Sequence, residues 1–543
     1  MQALHLSSKL RLRLTSAFLV KATVALSFTA VFATPGDAVA AQHAARRPSV
    51  RQPTDDTKHR PRRHARRETR AAAAIHFERP ESALELVSDL HQLMQARVRN
   101  GTWGVVVLSL TRDDTLYSVN ADEPLQPASN MKLFTSALAL DQFGADHQFS
   151  TDVLRDGTLG ADGVLRGNII LRGDGDPALS KRFITGSGGA MDALAQLVAN
   201  AGVKRVTGTL IADASAFDTQ RIPEGWQTRY LQSGYAARIS ALSLNENLVI
   251  VRVKPGGKSG AIVTLDPATT LPVSSSVRIV AGKGARISAH TTSAGIIEVK
   301  GTIGARAGER AYQLVVEDPT AFCAGAFRRA LQARGIAIDG MTAFAATPAS
   351  AVKLTGLQSP SIGQMLDVMN GESINHYAEL LFRDAGRNAS PSSVGSVESA
   401  NKLLQNFMTA KVGATPGAVF AADGSGLSVL DRITPRALVQ LLSYANHAPW
   451  KDAFHTSLPI AGQSELLRHR MRATPAQGNL HAKTGTTNSV ISLGGYVTAK
   501  NGEMLAFAFI YNGVDRWNAK STIDAMGATL ASFNRGAPSP DER

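Results

Sequence analysis

The sequence predicts a mixed α/β protein. An antiparallel sheet built from both ends of the chain is flanked by helices, joined to a helical lobe, and interrupted by a large β-rich insertion. Three observations carry this. Strand-like runs at residues 103–110 and 115–119 follow a helical pattern over 82–98. Near the other end, runs at 491–498 and 504–511 flank Asn501-Gly502, a strong hairpin dipeptide, ahead of an amphipathic helix over 520–533. From about residue 149 to 317 the texture changes to short β segments broken by glycine.

Length and composition agree. A chain of 543 residues exceeds one ordinary core and suggests roughly three or four domains. Its 44% hydrophobic and 19% charged residues are those of a globular protein. Residues 1–40 read as an export signal: Lys9, Arg11, Arg13 and Lys21 precede the apolar run 22–33, and Ala38-Val39-Ala40 offers a cleavage site. That run is too short to span a bilayer comfortably. Residues 41–75 read as a basic disordered linker; the stretch from Arg46 to Arg70 has little apolar side chain to bury, and in it ten basic residues face three acidic ones. Of the net charge of +14, only +4 falls to residues 71–543, so the folded body need not bind nucleic acid. The tail reads either as a solvated spacer or as an electrostatic contact with anionic envelope polymers or lipid headgroups. Cys323, alone in the chain, sits in an apolar context and reads as a small core residue.

The remaining body divides into 76–148 with 350–543, and an insertion at 149–349 whose innermost part spans roughly 251–317. A helix is predicted at 319–334 and another starting around Ser373. The helix after Pro127 opens with Ser129-Asn-Met-Lys132. At that spacing a helix puts both side chains on one face, and a desolvated lysine can take the proton of a serine hydroxyl. Alone the pattern is weak, since Ser350 with Lys353 and Ser399 with Lys402 also match it.

Two downstream motifs give it company. Ser373-Ile-Asn375 opens the later helix, and Lys483-Thr484-Gly485-Thr486 feeds the C-terminal hairpin. Ser373 can relay a proton between Lys132 and a leaving amine. Asn375 can hold Lys132 and the substrate backbone, and a cationic Lys483 would favour the neutral form of Lys132. Thr484 and Thr486 offer hydroxyls to a substrate carboxylate, and the Ser129 and Thr486 backbone N–H groups form an oxyanion hole. Ser243-Leu-Asn245 and Lys258-Ser-Gly260 imitate the last two motifs but lie too close together, inside the insertion. His376 and His481 flank the motifs without an acidic partner and receive no catalytic role.

In this order the motifs resemble those of the serine penicillin-recognising acyl transferases. Over about residues 80–515 the chain resembles the D-alanyl-D-alanine carboxypeptidase/endopeptidase family, the peptidase S13 (class C low-molecular-mass) penicillin-binding proteins. Further matching stretches are Gly173-Asp-Gly-Asp176-Pro177, Ala241-Leu-Ser-Leu-Asn-Glu-Asn247, Asp423-Gly-Ser-Gly-Leu-Ser428 and Leu458-Pro-Ile-Ala-Gly-Gln-Ser464. The resemblance implies a serine β-lactamase/transpeptidase-like fold with two nested extra domains, no metal or organic cofactor, and peptidoglycan peptides and β-lactams as ligands. It further implies a pocket for a diamino acid side chain lined by Asp213 and Phe217, while the export signal predicts a location in the periplasm or cell envelope. It leaves the oligomeric state open. Val429 stands where the family often has arginine, Asp431 where asparagine is usual, and Arg432 is a candidate replacement anchor. Two rival readings are a β-lactamase or esterase on the same fold, and a non-catalytic wall-binding protein.

Overall fold

A computed structural model describes residues 75–536, apart from 187, 258, 259 and 465. The export signal, all but the last residue of the basic linker, and Lys258 of the decoy motif lie outside the described residues. Among the described residues no helix is long and apolar enough to cross a membrane.

The sheet from both chain ends is five-stranded and antiparallel throughout. Its order is His481–Thr486, Val490–Thr498, Met504–Asn512, Thr102–Ser109 and Asp114–Val119. Alternation along a strand sends successive side chains to opposite faces. In Met504–Asn512, Leu505, Phe507, Phe509 and Tyr511 pack under the terminal helices Ala83–Arg97 and Arg516–Ser532. Ala506, Ala508 and Ile510 face the helical lobe, where two small side chains let helices approach closely. Ser82 caps the first helix by accepting from the Glu85 amide at 3.2 Å. The last helix begins a turn earlier than its apolar periodicity suggests, at Arg516.

The helix Met131–Phe143 is buried along its first ten residues and ends at Gly144, whose φ of 80° an L side chain rarely adopts. Such all-round burial marks the centre of the lobe. Around it pack Ile362–Glu372, Asn375–Ala389, Val397–Ala410 and Pro435–His447.

The chain leaves this body through Ser150–Leu159 and returns through Val352–Gln358, and these two strands pair antiparallel. Both belong to a seven-stranded mixed sheet, and two three-stranded sheets built from residues 248–315 lie between them in the chain. Helix Pro319–Ala333, capped by Asp318 with proline at its first turn, closes this region's core. Cys323 is buried in it, and burial pushes its thiol far up.

Candidate active site

Ser129 does not lie in the α-helix itself. It occupies a short 3-10 turn, Ala128–Asn130, that precedes Met131. Ala128 takes a left-handed φ of 47°, a strained conformation for a residue with a side chain. Two glycines make room for the turn. A Cβ on Gly426 would lie 1.8 Å from the Ala128 carbonyl oxygen, and one on Gly485 would lie 2.8 Å from that of Pro127. Ser492 Oγ donates to the Pro127 carbonyl at 2.7 Å, tying the turn to the sheet.

Three amine neighbours define the state of Lys132. Its Nζ lies 3.1 Å from Ser129 Oγ, 2.6 Å from Asn375 Oδ1 and 2.7 Å from the Ser425 carbonyl oxygen. The last two atoms only accept. A neutral amine gives them its two protons and keeps a lone pair for the Ser129 hydroxyl, as a general base must. Lys132 is fully buried, and burial lowers its pKa to about 8; Asp423, Glu379 and Asp431 oppose that shift.

Lys483, also fully buried, donates to Ser373 Oγ at 2.9 Å and to the Thr484 carbonyl at 3.1 Å. Burial, then the charge of Lys132, pushes Lys483 well below the ordinary lysine range.

Ser373 is not in the helix predicted to begin there. It sits at φ 57°, ending helix Ile362–Glu372, and its amide bonds the Met369 carbonyl. The left-handed residue breaks one helix so that the next, Asn375–Ala389, can start in a new direction. Asn375 thus reaches Lys132 with its oxygen and donates its Nδ2 to the Tyr235 carbonyl at 2.8 Å.

The structure therefore brings Ser129, Lys132, Ser373, Asn375 and Lys483 into one cluster from three distant segments. Thr484 and Gly485 are buried on the strand beside it, and Thr486 is exposed at the strand's end. Asp213 and Phe217 are not joined to this cluster by any hydrogen bond among the described residues. Asp213 accepts from the Ser215 and Thr347 amides, both at 2.8 Å, and from Thr347 Oγ1. Burial works against its charge, but these bonds outweigh burial and hold it below the usual carboxylate range. It lines a cavity of about 380 Å³ with Arg172, Arg387 and Thr347; none of the five clustered residues is in that lining. Phe217 is buried in an apolar cluster with Trp226, Leu380 and Leu427.

The imitating motifs have structural employment. Ser243 Oγ donates to the Ser240 carbonyl, and Asn245 Oδ1 accepts from the Lys181 amide. Ser350 and Lys353 pair with Asp156 and Asp152, and Ser399 Oγ accepts from the amide of Ser396, which caps a helix. His376 is buried against Asn247 at 3.0 Å and pushed down to about 3 by burial, so it stays neutral. Arg432 turns its guanidinium onto the Val429 and Asp431 carbonyls, at 2.9 and 2.7 Å.

Residues to which the sequence assigned no role in the site lie under Lys132. Asp423 receives hydrogen bonds from Trp226 Nε1 at 2.7 Å and from the Ser425, Gly426 and Ser428 amides. Glu379 and Asp431 are buried beside it. A signal existed: an aspartate ahead of Gly-Ser-Gly is an Asx-turn pattern, and Glu379 lies one turn past Asn375 on the same helix face.

The sequence profile of the D-Ala-D-Ala carboxypeptidase 3 (S13) family matches residues 86–533. A D-alanyl-D-alanine carboxypeptidase of Actinomadura sp. (strain R39) is 32% identical over 471 residues, which are 83% of this chain and 85% of that one. D-alanyl-D-alanine carboxypeptidase DacB of Haemophilus influenzae is 25% identical over 475 residues, 85% of this chain and 95% of its own. The crystal structure of penicillin binding protein 4 (dacB) from Haemophilus influenzae matches with a TM-score of 0.68 at 22% identity. The match covers 80% of this chain and 98% of that one, and it shows the expected fold. With its motif order, its sheet and the reach of the profile all in agreement, this chain belongs to the D-Ala-D-Ala carboxypeptidase 3 (S13) family.

Proposed function

We propose that this protein is an exported serine-type D-Ala-D-Ala carboxypeptidase, endopeptidase or both. It trims or cleaves peptidoglycan stem peptides through an acyl-serine intermediate and is acylated by β-lactams. The observation that carries the reading is the 3.1 Å approach of Lys132 Nζ to Ser129 Oγ, with the amine's other two neighbours being acceptors only.

In this reading Lys132 takes the hydroxyl proton as Ser129 attacks the carbonyl of a D-alanine. The Ser129 and Thr486 amides hold the oxyanion. Ser373, bonded to Lys483, passes a proton to the departing amine, and water then releases the acyl group. His481–Thr486 is an edge strand, so an extended peptide can lie along it while Lys483, Thr484 and Thr486 attract its terminal carboxylate. Gly485 keeps that strand close to the nucleophile turn.

A labelled penicillin should leave an adduct on the wild type and none on Ser129→Ala. Rapid turnover without an adduct would indicate a β-lactamase, and absence of any reaction a wall-binding protein. Digested sacculi then separate the two activities: loss of terminal D-alanine marks the carboxypeptidase, and loss of dimeric muropeptides the endopeptidase.

The signal read from residues 1–40 supports an envelope location. Deleting residues 41–74 tests the tail: lower wall retention at low salt marks an electrostatic tether, and unchanged retention a spacer. We read residues 76–148 and 350–543 as the catalytic part and 149–349 as the insertion. The pairing of Ser150–Leu159 with Val352–Gln358 supports a return point nearer 358.

A further inference from the structure

The three carboxyls beneath Lys132 are not equivalent. Asp423 accepts five hydrogen bonds: three from amides, one from Trp226 Nε1 and one from Ser425 Oγ at 3.2 Å. A carboxyl whose lone pairs all meet donors has no room for its own proton. Glu379 and Asp431 differ. Glu379 Oε1 accepts from the Gly424 amide at 3.1 Å, and Asp431 Oδ1 from the Ala422 and Asp423 amides at 2.8 and 3.2 Å. The second oxygen of each is buried without a partner. An ionised group left so would be costly, whereas a neutral acid is tolerated. Both carboxyls are fully buried.

We propose that Asp423 is the buried counter-ion of Lys132, carrying the single negative charge of this cluster, while Glu379 and Asp431 stand beside it as protonated acids. This rests on the acyl-serine reading and extends it to the group that sets when Lys132 can act. The coupling is short. Asp423 grips both the amide and the hydroxyl of Ser425, and the Ser425 carbonyl accepts from Lys132. Glu379 shares its helix with Asn375 and steadies the same loop through Gly424. Burial, then the charge of Asp423, pushes Glu379 up to about 8, and the same two causes raise Asp431 well above the usual range.

Other charged groups near Lys132 do not take this part. Lys483 is itself depressed. Arg383, one turn beyond Glu379, is engaged by Asp218 at 2.6 Å, and Arg432 is held by backbone carbonyls. The arrangement makes Asp423 a positioning residue, because it acts on Ser129 only through Lys132.

The test is the pH profile of acylation by a fluorescent penicillin, measured on the full chain by stopped flow. Removing the counter-charge with Asp423→Asn should move the rising limb about one pH unit or more toward acid. A folded variant whose limb stays in place would overturn the proposal. Infrared difference spectra of wild type against Asp431→Asn provide an arm that does not depend on the folding of Asp423→Asn. In the difference spectrum the Glu379 band cancels, and a C=O band of the protonated Asp431 carboxyl should remain at neutral pH; absence of that difference band would also overturn it. Failure of wild type to form any adduct would instead strike the acyl-serine reading, and the infrared arm would still decide the protonation pattern.

Discussion

Lys132 Nζ and Asn375 Oδ1 lie 2.6 Å apart although 243 residues separate them in the chain. The contact joins two helices of the lobe, and it orients the amine that faces Ser129. Its loss should therefore cost reactivity more than stability. Asn375→Ala should slow penicillin acylation by at least about a hundredfold while leaving the thermal transition nearly in place. Stopped-flow acylation and calorimetry on one preparation check both halves.

Acylation should rise with pH and level off above about 8. The sign follows from the chemistry: Lys132 works as a base only when neutral, and burial has already lowered its pKa to that value from 10.5. A rate that is flat from pH 6 to 9 would show that another group limits the step.

Gly426→Ala should damage the site without touching a reacting group. The added carbon would lie 1.8 Å from the Ala128 carbonyl, at a φ of 82° that disfavours alanine. The nucleophile turn must move, so the expected outcome is a folded protein with acylation reduced at least about tenfold.

Part of the stability at neutral pH, lost in acid, should come from Arg535, which binds both Asp114 and the buried Glu503. For Glu503, burial pushes the pKa up, but the hydrogen bonds of Arg535 outweigh it and hold the group below its ordinary 4.5. A depressed carboxylate stabilises the fold above its unfolded pKa, and that contribution disappears as pH falls through the folded value. Arg535→Ala should cost about 2 kcal/mol at neutral pH and progressively less toward pH 3, read by denaturant melts.

Much of the site could be read from the chain because its parts are side chains with fixed chemistry at fixed spacing. Ser129, Lys132, Ser373, Asn375 and Lys483 each belong to a short local pattern, and the hairpin at Asn501-Gly502 announced the sheet that brings the last pattern home. What stayed hidden depends on backbone and environment. Ser373 was expected inside a helix because its neighbours favour one; its left-handed φ comes from the junction of two helices. The Ser425 carbonyl has no sequence signature at all. Nor does any local pattern record the burial of Asp423, Glu379 and Asp431 beneath Lys132.

The insertion also reaches back into the lobe. Trp226 binds Asp423, the Tyr235 carbonyl binds Asn375, and Asn247 meets His376. Because the strands that lead out and back run side by side, a protein engineer would be tempted to splice them with a short bridge and discard everything between. Such a miniature would keep its nucleophile and both lysines, yet water would flood the underside of the catalytic cleft at all three places. Shortening this scaffold without silencing it would mean grafting substitutes for an indole, a carbonyl and an amide.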